Sequence, residues 1–203
     1  MLVFLEGTIA VGKTSVFESL KGRHPDWVFL PEPVTAWQNW NGENWLEKYY
    51  SNPKLHAYEF QKLVLESYKF LERDYQPSTV YIAERSPRVA THVFSRLCLS
   101  NGDINLEQYL SIVELFDTLF EFLDSLKPKT IYLRTTPEIV WGRMTARARP
   151  EEFSVTCDYL QKLCHYHDME FCNPQNDFTI DESNGALSVA EKVQLVEELT
   201  LFF

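Results

Sequence analysis

Gly7-Thr8-Ile9-Ala10-Val11-Gly12-Lys13-Thr14 satisfies G-x-x-x-x-G-K-S/T at every fixed position. That pattern builds a phosphate cradle. Gly7 and Gly12 let the backbone turn tightly, so that successive N–H groups point at one anion. Lys13 adds a point charge toward the β- and γ-phosphates of a nucleoside triphosphate, and the Thr14 hydroxyl can ligate Mg²⁺. A helix expected from about Lys13 to Leu20 adds its positive end. Gly7, Thr8, Ala10, Val11, Gly12, Lys13, Thr14 and Ser15 are therefore the expected ATP-binding residues of the loop. The loop names a donor and leaves the acceptor open.

Three other groups have the chemistry an acceptor needs. Glu32 stands between Pro31 and Pro33, which stiffen a strand end and can aim one carboxylate into a crevice. A hydroxyl acceptor needs a base within hydrogen-bond reach, and Glu32 fits; a surface glutamate in a turn fits equally well on composition alone. Glu84 and Arg85 follow an apolar strand, where Glu84 can hold Mg²⁺ and Arg85 can offset charge on the transferring group. The plainer reading of that pair is a strand-terminal ion pair. Arg143, Arg147 and Arg149 are spaced by four and two residues in the basic focus of an acidic chain. Arg143 and Arg147 share a helix face. With a phosphate loop in place, they read as an Arg-rich lid over ATP, about residues 143–153, rather than a solvated stripe.

These residues must be positioned by a scaffold, and the apolar pattern supplies one. Leu2–Leu5, Trp27–Val34, Thr79–Ser86, the K-T-I-Y-L-R-T-T-P run and Asp177–Ile180 read as five strands. Helical spacing separates them over Leu55–Tyr75, over Ile104–Leu126 with Asn101-Gly102-Asp103 as its start signal, after Pro137, and over the closing segment. Strands alternating with helices predict an α/β fold, a parallel sheet covered on both faces, in one domain over residues 1–203. Ligands of such sheets sit at the carboxyl ends of the strands, where the loop, Glu32 and Glu84-Arg85 all fall. The chain has 14 Phe, 10 Tyr and 5 Trp, and most must be core, although Trp37, Tyr50, Phe60 and Phe94 lie near the other candidates.

Bulk properties narrow the partners. A net charge of −10 disfavours a nucleic-acid or anionic-membrane partner, since both want a basic face. No apolar run of roughly 18 residues predicts a membrane span. None of the four cysteines forms C-x-x-C, and Cys164, His165, His167 and Cys172 read as packing and surface rather than a metal site. A first strand beginning directly after Met1 predicts a cytoplasmic location.

The motifs together resemble the deoxynucleoside kinase family, the type that includes deoxycytidine kinase, deoxyguanosine kinase, mitochondrial thymidine kinase and the insect multisubstrate enzyme. The resemblance runs through L-E-G-T-I-A-V-G-K-T-S, P-E-P-V, Y-Y-S-N-P, E-F-Q, E-R-S, I-Y-L-R-T-T-P-E and R-A-R-P-E-E, covering residues 2 to about 168 in the family's order. It implies a P-loop kinase fold, ATP as donor, Mg²⁺ as cofactor and a homodimer through helices. The long apolar helix near Ile104–Leu126 points to the same assembly. It makes Glu32 the base toward a 5′-hydroxyl, puts Arg85 beside that hydroxyl with Glu84 near Mg²⁺, and makes Arg143, Arg147 and Arg149 the lid arginines. It gives the 3′-hydroxyl to Glu152 with Tyr50, the base edge to Gln61, and the base sandwich to Trp37, Phe60 and Phe94. Asp181–Asn184 falls where the family binds adenine.

The resemblance also bears on the base. Purine- and cytidine-preferring relatives place an Arg and an Asp where this chain has Tyr68 and Ala90, with Val64 lining the same region. Uncharged residues there suit thymine and its methyl group, and Gln61 can pair with N3–H and O4. The expectation is phosphorylation of thymidine and other pyrimidine deoxynucleosides in nucleotide salvage, in the cytoplasm, with a compact viral member as a fitting source. Two departures stand out: Tyr68 replaces the usual aliphatic residue of thymidine-accepting members, and Pro87 replaces a larger apolar residue after E-R-S. Two rivals stay open. A nucleoside monophosphate kinase such as thymidylate kinase shares the fold but has little need of Glu32. A P-loop regulatory switch needs neither a base nor a nucleoside slot.

Overall fold

A computed structural model describes residues 1–172 and 177–203. β1 (Leu2–Gly7) is buried along its whole length, as an unbroken apolar run requires of a central strand. Its side chains alternate between two cores: Val3 and Leu5 enter one, Leu2 and Phe4 the other. The remaining elements are α1 (Lys13–Arg23), β2 (Val28–Leu30), α2 (Val34–Gln38), α3 (Trp45–Ser51), α4 (Pro53–Ser67), β3 (Tyr81–Glu84), α5 (Pro87–Val89), α6 (Arg96–Asn101), α7 (Leu106–Phe120), α8 (Phe122–Leu126), β4 (Lys129–Arg134), α9 (Pro137–Arg147), α10 (Cys157–Phe171), β5 (Asp177–Asp181) and α11 (Val189–Phe202).

The five strands pair in parallel in the order β2-β3-β1-β4-β5. β2 and β3 lie on one side of β1 and β4 and β5 on the other, so the chain changes direction across the sheet at β1. That change opens a crevice beyond the carboxyl ends of the strands. One core packs α1, α9, α10 and α11 residues against the sheet, and the other packs α3, α4 and α7 residues. Among the described residues, no helix is long and apolar enough to cross a membrane.

Element types follow the sequence, and several boundaries differ for local reasons. The second strand ends at Leu30 because Pro31 and Pro33 cannot donate to a ladder, and α2 starts at Val34. The helix expected over Leu55–Tyr75 starts at Pro53 and stops at Ser67, whose hydroxyl donates to the Val64 carbonyl. Tyr68–Leu71 continues as a 3₁₀ turn that drops Tyr68 into the interior. Asn101-Gly102-Asp103 does not start the long helix. Gly102, at φ 74°, ends α6 in the left-handed conformation. The cap of α7 is instead Asn105, in a reciprocal box with Gln108. The helix expected over Ile104–Leu126 is two helices, α7 and α8, meeting at Glu121. Between α5 and α6, Ala90–Ser95 forms a π-helical turn that the sequence pattern does not signal.

Candidate active site

The phosphate loop joins β1 to α1. Gly7 has φ 146°, and a Cβ there would come within 2.8 Å of the Leu133 carbonyl oxygen and of a Val11 methyl, so only glycine fits. Gly12, at φ 105°, precedes α1 without a side-chain cap, which leaves the first amide donors of the helix for an anion. Lys13 Nζ donates to the carbonyls of Gly7 at 2.9 Å and Thr8 at 2.8 Å. Burial and then the Arg85 charge pull the Lys13 pKa down.

The end of β3 brings a second group to this loop. Thr14 Oγ1 donates to Glu84 Oε1 at 2.5 Å, which unites the two residues expected at Mg²⁺. Burial, then Glu32, raises the Glu84 pKa. Next in sequence, Arg85 adopts φ 66°, a conformation rare for a side chain of this size. Its Nε lies 2.8 Å from Glu32 Oε1, its guanidinium sits 5.4 Å from the Phe94 ring centroid, and Nη1 is 3.5 Å from His167 Nε2. Below it, Glu6 Oε1 accepts the Ser86 N–H at 2.6 Å. Burial pushes the Glu6 carboxyl up to about 7 against the opposing pull of Arg85 and Lys13.

A single cavity of about 570 Å³ runs from the phosphate loop past Glu32. Trp37, Tyr50, Phe60, Gln61, Val64, Tyr68, Ala90 and Phe94 line it, with Ala90 and Phe94 carried by the π-helical turn. Trp37 and Phe60 meet edge to face at 6.0 Å, and Trp37 Nε1 is used internally, donating to Ser67 Oγ at 2.8 Å. Two polar atoms on this wall, Gln61 Oε1 and Tyr68 OH, are buried with no hydrogen-bond partner. A buried polar atom without a partner is a group that a polar ligand or an ordered water satisfies. Burial and then Glu32 hold the Tyr68 phenol well above its usual pKa, so it stays a neutral hydroxyl.

The arginine segment closes the other side. Arg147 Nη2 donates to both Glu152 oxygens at 2.7 Å, and Arg149 Nη1 to Oε1 at 3.2 Å. Ala148, at φ 52°, ends α9 and turns the chain between them. No hydrogen bond joins Tyr50 to Glu152 among the described residues. They are nevertheless close enough that Glu152, after burial, raises the Tyr50 pKa. Glu151 Oε1 accepts from Gln38 Nε2 at 2.8 Å and Asn44 Nδ2 at 3.1 Å, which moors this segment to α2 and α3. Arg143 turns toward the phosphate loop. Its Nη1 donates to the Val11 carbonyl at 3.1 Å and to Glu182 Oε1 at 2.5 Å.

The expected site residues line this one cavity except Gly7 and Thr8, which shape the loop from behind, and the Asp181–Asn184 segment expected at the adenine, which lies outside its lining. Glu6, His167 and Lys192 are neighbours with no site role expected from sequence, and Glu182, inside the segment expected at the adenine, instead pairs with Arg143 and Lys192. Glu6 carried a readable signal, a charge inside an otherwise apolar strand. Lys192 carries none, because the fold, not spacing, brings it to the phosphate loop. His167 reads from sequence as packing or surface; it is buried, with Nδ1 against the Leu163 carbonyl at 2.8 Å.

Comparison with known proteins agrees with this geometry. The chain is 31% identical over 195 residues to the thymidine kinase of Ictalurid herpesvirus 1 (strain Auburn), covering 95% of this chain and 84% of that protein. It is 31% identical over 169 residues to human mitochondrial thymidine kinase 2, covering 82% of this chain and 63% of the human protein. It is 28% identical over 207 residues to a probable deoxycytidine kinase of Fowlpox virus (strain NVSL), covering 94% and 86% respectively. The family model described as deoxynucleoside kinase matches residues 3–199, from β1 into the last helix, and this chain belongs to that family.

Proposed function

We propose that the chain transfers the γ-phosphoryl group of ATP to the 5′-hydroxyl of deoxynucleosides, preferring thymidine and other pyrimidines. The observation that carries this reading is the placement of Glu32. Its carboxylate stands between the phosphate loop and the aromatic cavity, paired with Arg85. A nucleoside in the cavity would present its 5′-oxygen there. Glu32 takes the hydroxyl proton as that oxygen bonds to the γ-phosphorus, and the bond to the β–γ bridging oxygen breaks with ADP as leaving group. Arg85, Lys13 and the loop amides offset the charge that develops.

The Thr14 and Glu84 oxygens suit a hard cation that keeps most of its waters and the donor's phosphates as ligands, so these two residues would hold Mg²⁺. When bound, the ion neutralises phosphate charge. Arg143, Arg147 and Arg149 serve as the lid over the phosphates. Glu152, beside Tyr50, takes the 3′-hydroxyl, and Gln61 the base edge between Trp37, Phe60 and Phe94. The pyrimidine preference rests on the uncharged wall of Val64, Tyr68 and Ala90, and two of the relatives named above are thymidine kinases.

The chain acts as one domain, in nucleotide salvage in the cytoplasm; its herpesvirus and poxvirus relatives make an infected cell a natural setting. It pairs as a homodimer through its helices, a reading supported by Leu106 at 61% and Leu110 at 56% exposure on α7. Incubating the protein with ATP, Mg²⁺ and thymidine and locating the phosphate by ³¹P NMR tests the reaction. Thymidine 5′-monophosphate is expected, and a 3′-phosphate or no product would refute it.

A further inference from the structure

The last helix reaches the phosphate loop through one buried lysine. Lys192 Nζ donates to the Val11 carbonyl at 2.9 Å and lies 2.9 Å from Glu182 Oε2. It sits against Gly12, where a Cβ would be 3.5 Å from Nζ. Arg143 Nη1 reaches the same carbonyl from α9. Glu182 binds both cations and also accepts the Leu187 N–H at 3.1 Å. Two positive donors thus converge on one peptide oxygen, and a single buried carboxylate fixes both.

The consequence follows from peptide planarity. In a trans peptide the carbonyl and the next N–H point in opposite directions. Holding the Val11 oxygen toward Lys192 and Arg143 therefore holds the Gly12 N–H away from them. Gly12 has no Cβ to resist rotation and sits at φ 105°, so its peptide plane would otherwise be free to turn. We infer that Lys192 is a positioning residue for the donor site: it clamps the Val11–Gly12 peptide so that the Gly12 N–H faces the phosphates, and Glu182 holds Lys192 in place. The inference rests on the proposed kinase reading but makes no use of the identity of the acceptor.

Titration of ADP into the wild type, Lys192→Met and Lys192→Arg, followed by thymidine titration and steady-state kinetics on the same samples, tests it. For Lys192→Met, ADP affinity is expected to fall about tenfold or more. KM for ATP should rise with it, while the thymidine Kd stays within about twofold. Lys192→Arg, which keeps a charged donor, should recover most of the ADP affinity. Wild-type ADP affinity in Lys192→Met would overturn the inference, as would a parallel loss of ADP and thymidine binding, or an Arg variant no better than Met. If Lys192→Met and Lys192→Gln both fail to fold while Lys192→Arg folds, the residue serves stability and the inference falls. A wild type that binds no ADP would overturn both this inference and the kinase reading.

Discussion

Arg85 Nε lies 2.8 Å from the Glu32 carboxylate but is not aligned to form a hydrogen bond with it. The contact is an ion pair that holds Glu32 in place without a directed N–H bond to it. No hydrogen bond from the described residues occupies that carboxylate, so it remains able to accept a hydroxyl proton. Arg85 is held in this position at the cost of a left-handed backbone, φ 66°, anchored by its N–H to the Leu5 carbonyl at 3.1 Å.

Glu32→Gln keeps the shape of the side chain and removes the base. Turnover with ATP and thymidine should fall roughly 10²- to 10⁴-fold, with the ADP Kd nearly unchanged. Rapid-quench and binding measurements on one preparation separate the two effects. A kcat near that of the wild type would show that the proton goes elsewhere.

Glu152 is buried beneath two arginines, and the reading gives it the 3′-hydroxyl. Glu152→Gln should raise KM for thymidine about tenfold or more and barely alter the already poor use of 3′-deoxythymidine. The ratio of kcat/KM for the two nucleosides is the readout. An unchanged ratio would mean that Glu152 only braces Arg147 and Arg149.

Tyr68 and Gln61 line the cavity, and the Tyr68 hydroxyl and the Gln61 carbonyl oxygen are buried without partners. Combining Tyr68→Arg with Ala90→Asp puts an ion pair on that wall. It should shift preference from thymidine toward deoxycytidine and the purine deoxynucleosides by a factor of ten or more, since a mispaired buried polar group costs about 1–3 kcal/mol. Competition assays with mixed substrates measure this directly, and an unaltered profile would remove the base-selectivity argument.

Glu6 is a carboxyl whose folded pKa, about 7, lies above the usual 4.5 because it is buried. The folded state therefore holds a proton that the unfolded chain gives up. Its favourable contribution is complete below about pH 4.5 and is lost as pH rises toward 7. Glu6→Gln is exempt from that loss. Its Tm relative to wild type should climb between pH 5 and pH 7.5, as differential scanning calorimetry would record; a constant difference would show that Glu6 is ionised throughout.

Much of this site was readable because its chemistry is local. The phosphate loop is one continuous segment, and Glu32, Glu84 and Arg85 lie at or just beyond the ends of strands that the apolar pattern announces. Periodicity cannot separate cavity aromatics from core: Trp37 and Phe60 belong to a buried core cluster and line the cavity as well, and only the family resemblance singles them out with Phe94. What stayed hidden depends on long-range packing. Lys192 meets Val11 across 181 positions, and nothing in the spacing of α11 distinguishes it from a surface lysine. The π-helical turn that carries Ala90 and Phe94 likewise has no counterpart in the helical spacing of the sequence.

The central claim is that the acceptor is a nucleoside hydroxyl. Initial rates with ATP and Mg²⁺ against the four deoxynucleosides, with thymidine monophosphate as a fifth acceptor, test it most directly. Thymidine and then deoxycytidine should lead, and thymidine monophosphate should give no acceptor-dependent ADP release. Faster turnover of thymidine monophosphate than of any nucleoside, or ATP hydrolysis indifferent to the acceptor, would contradict it.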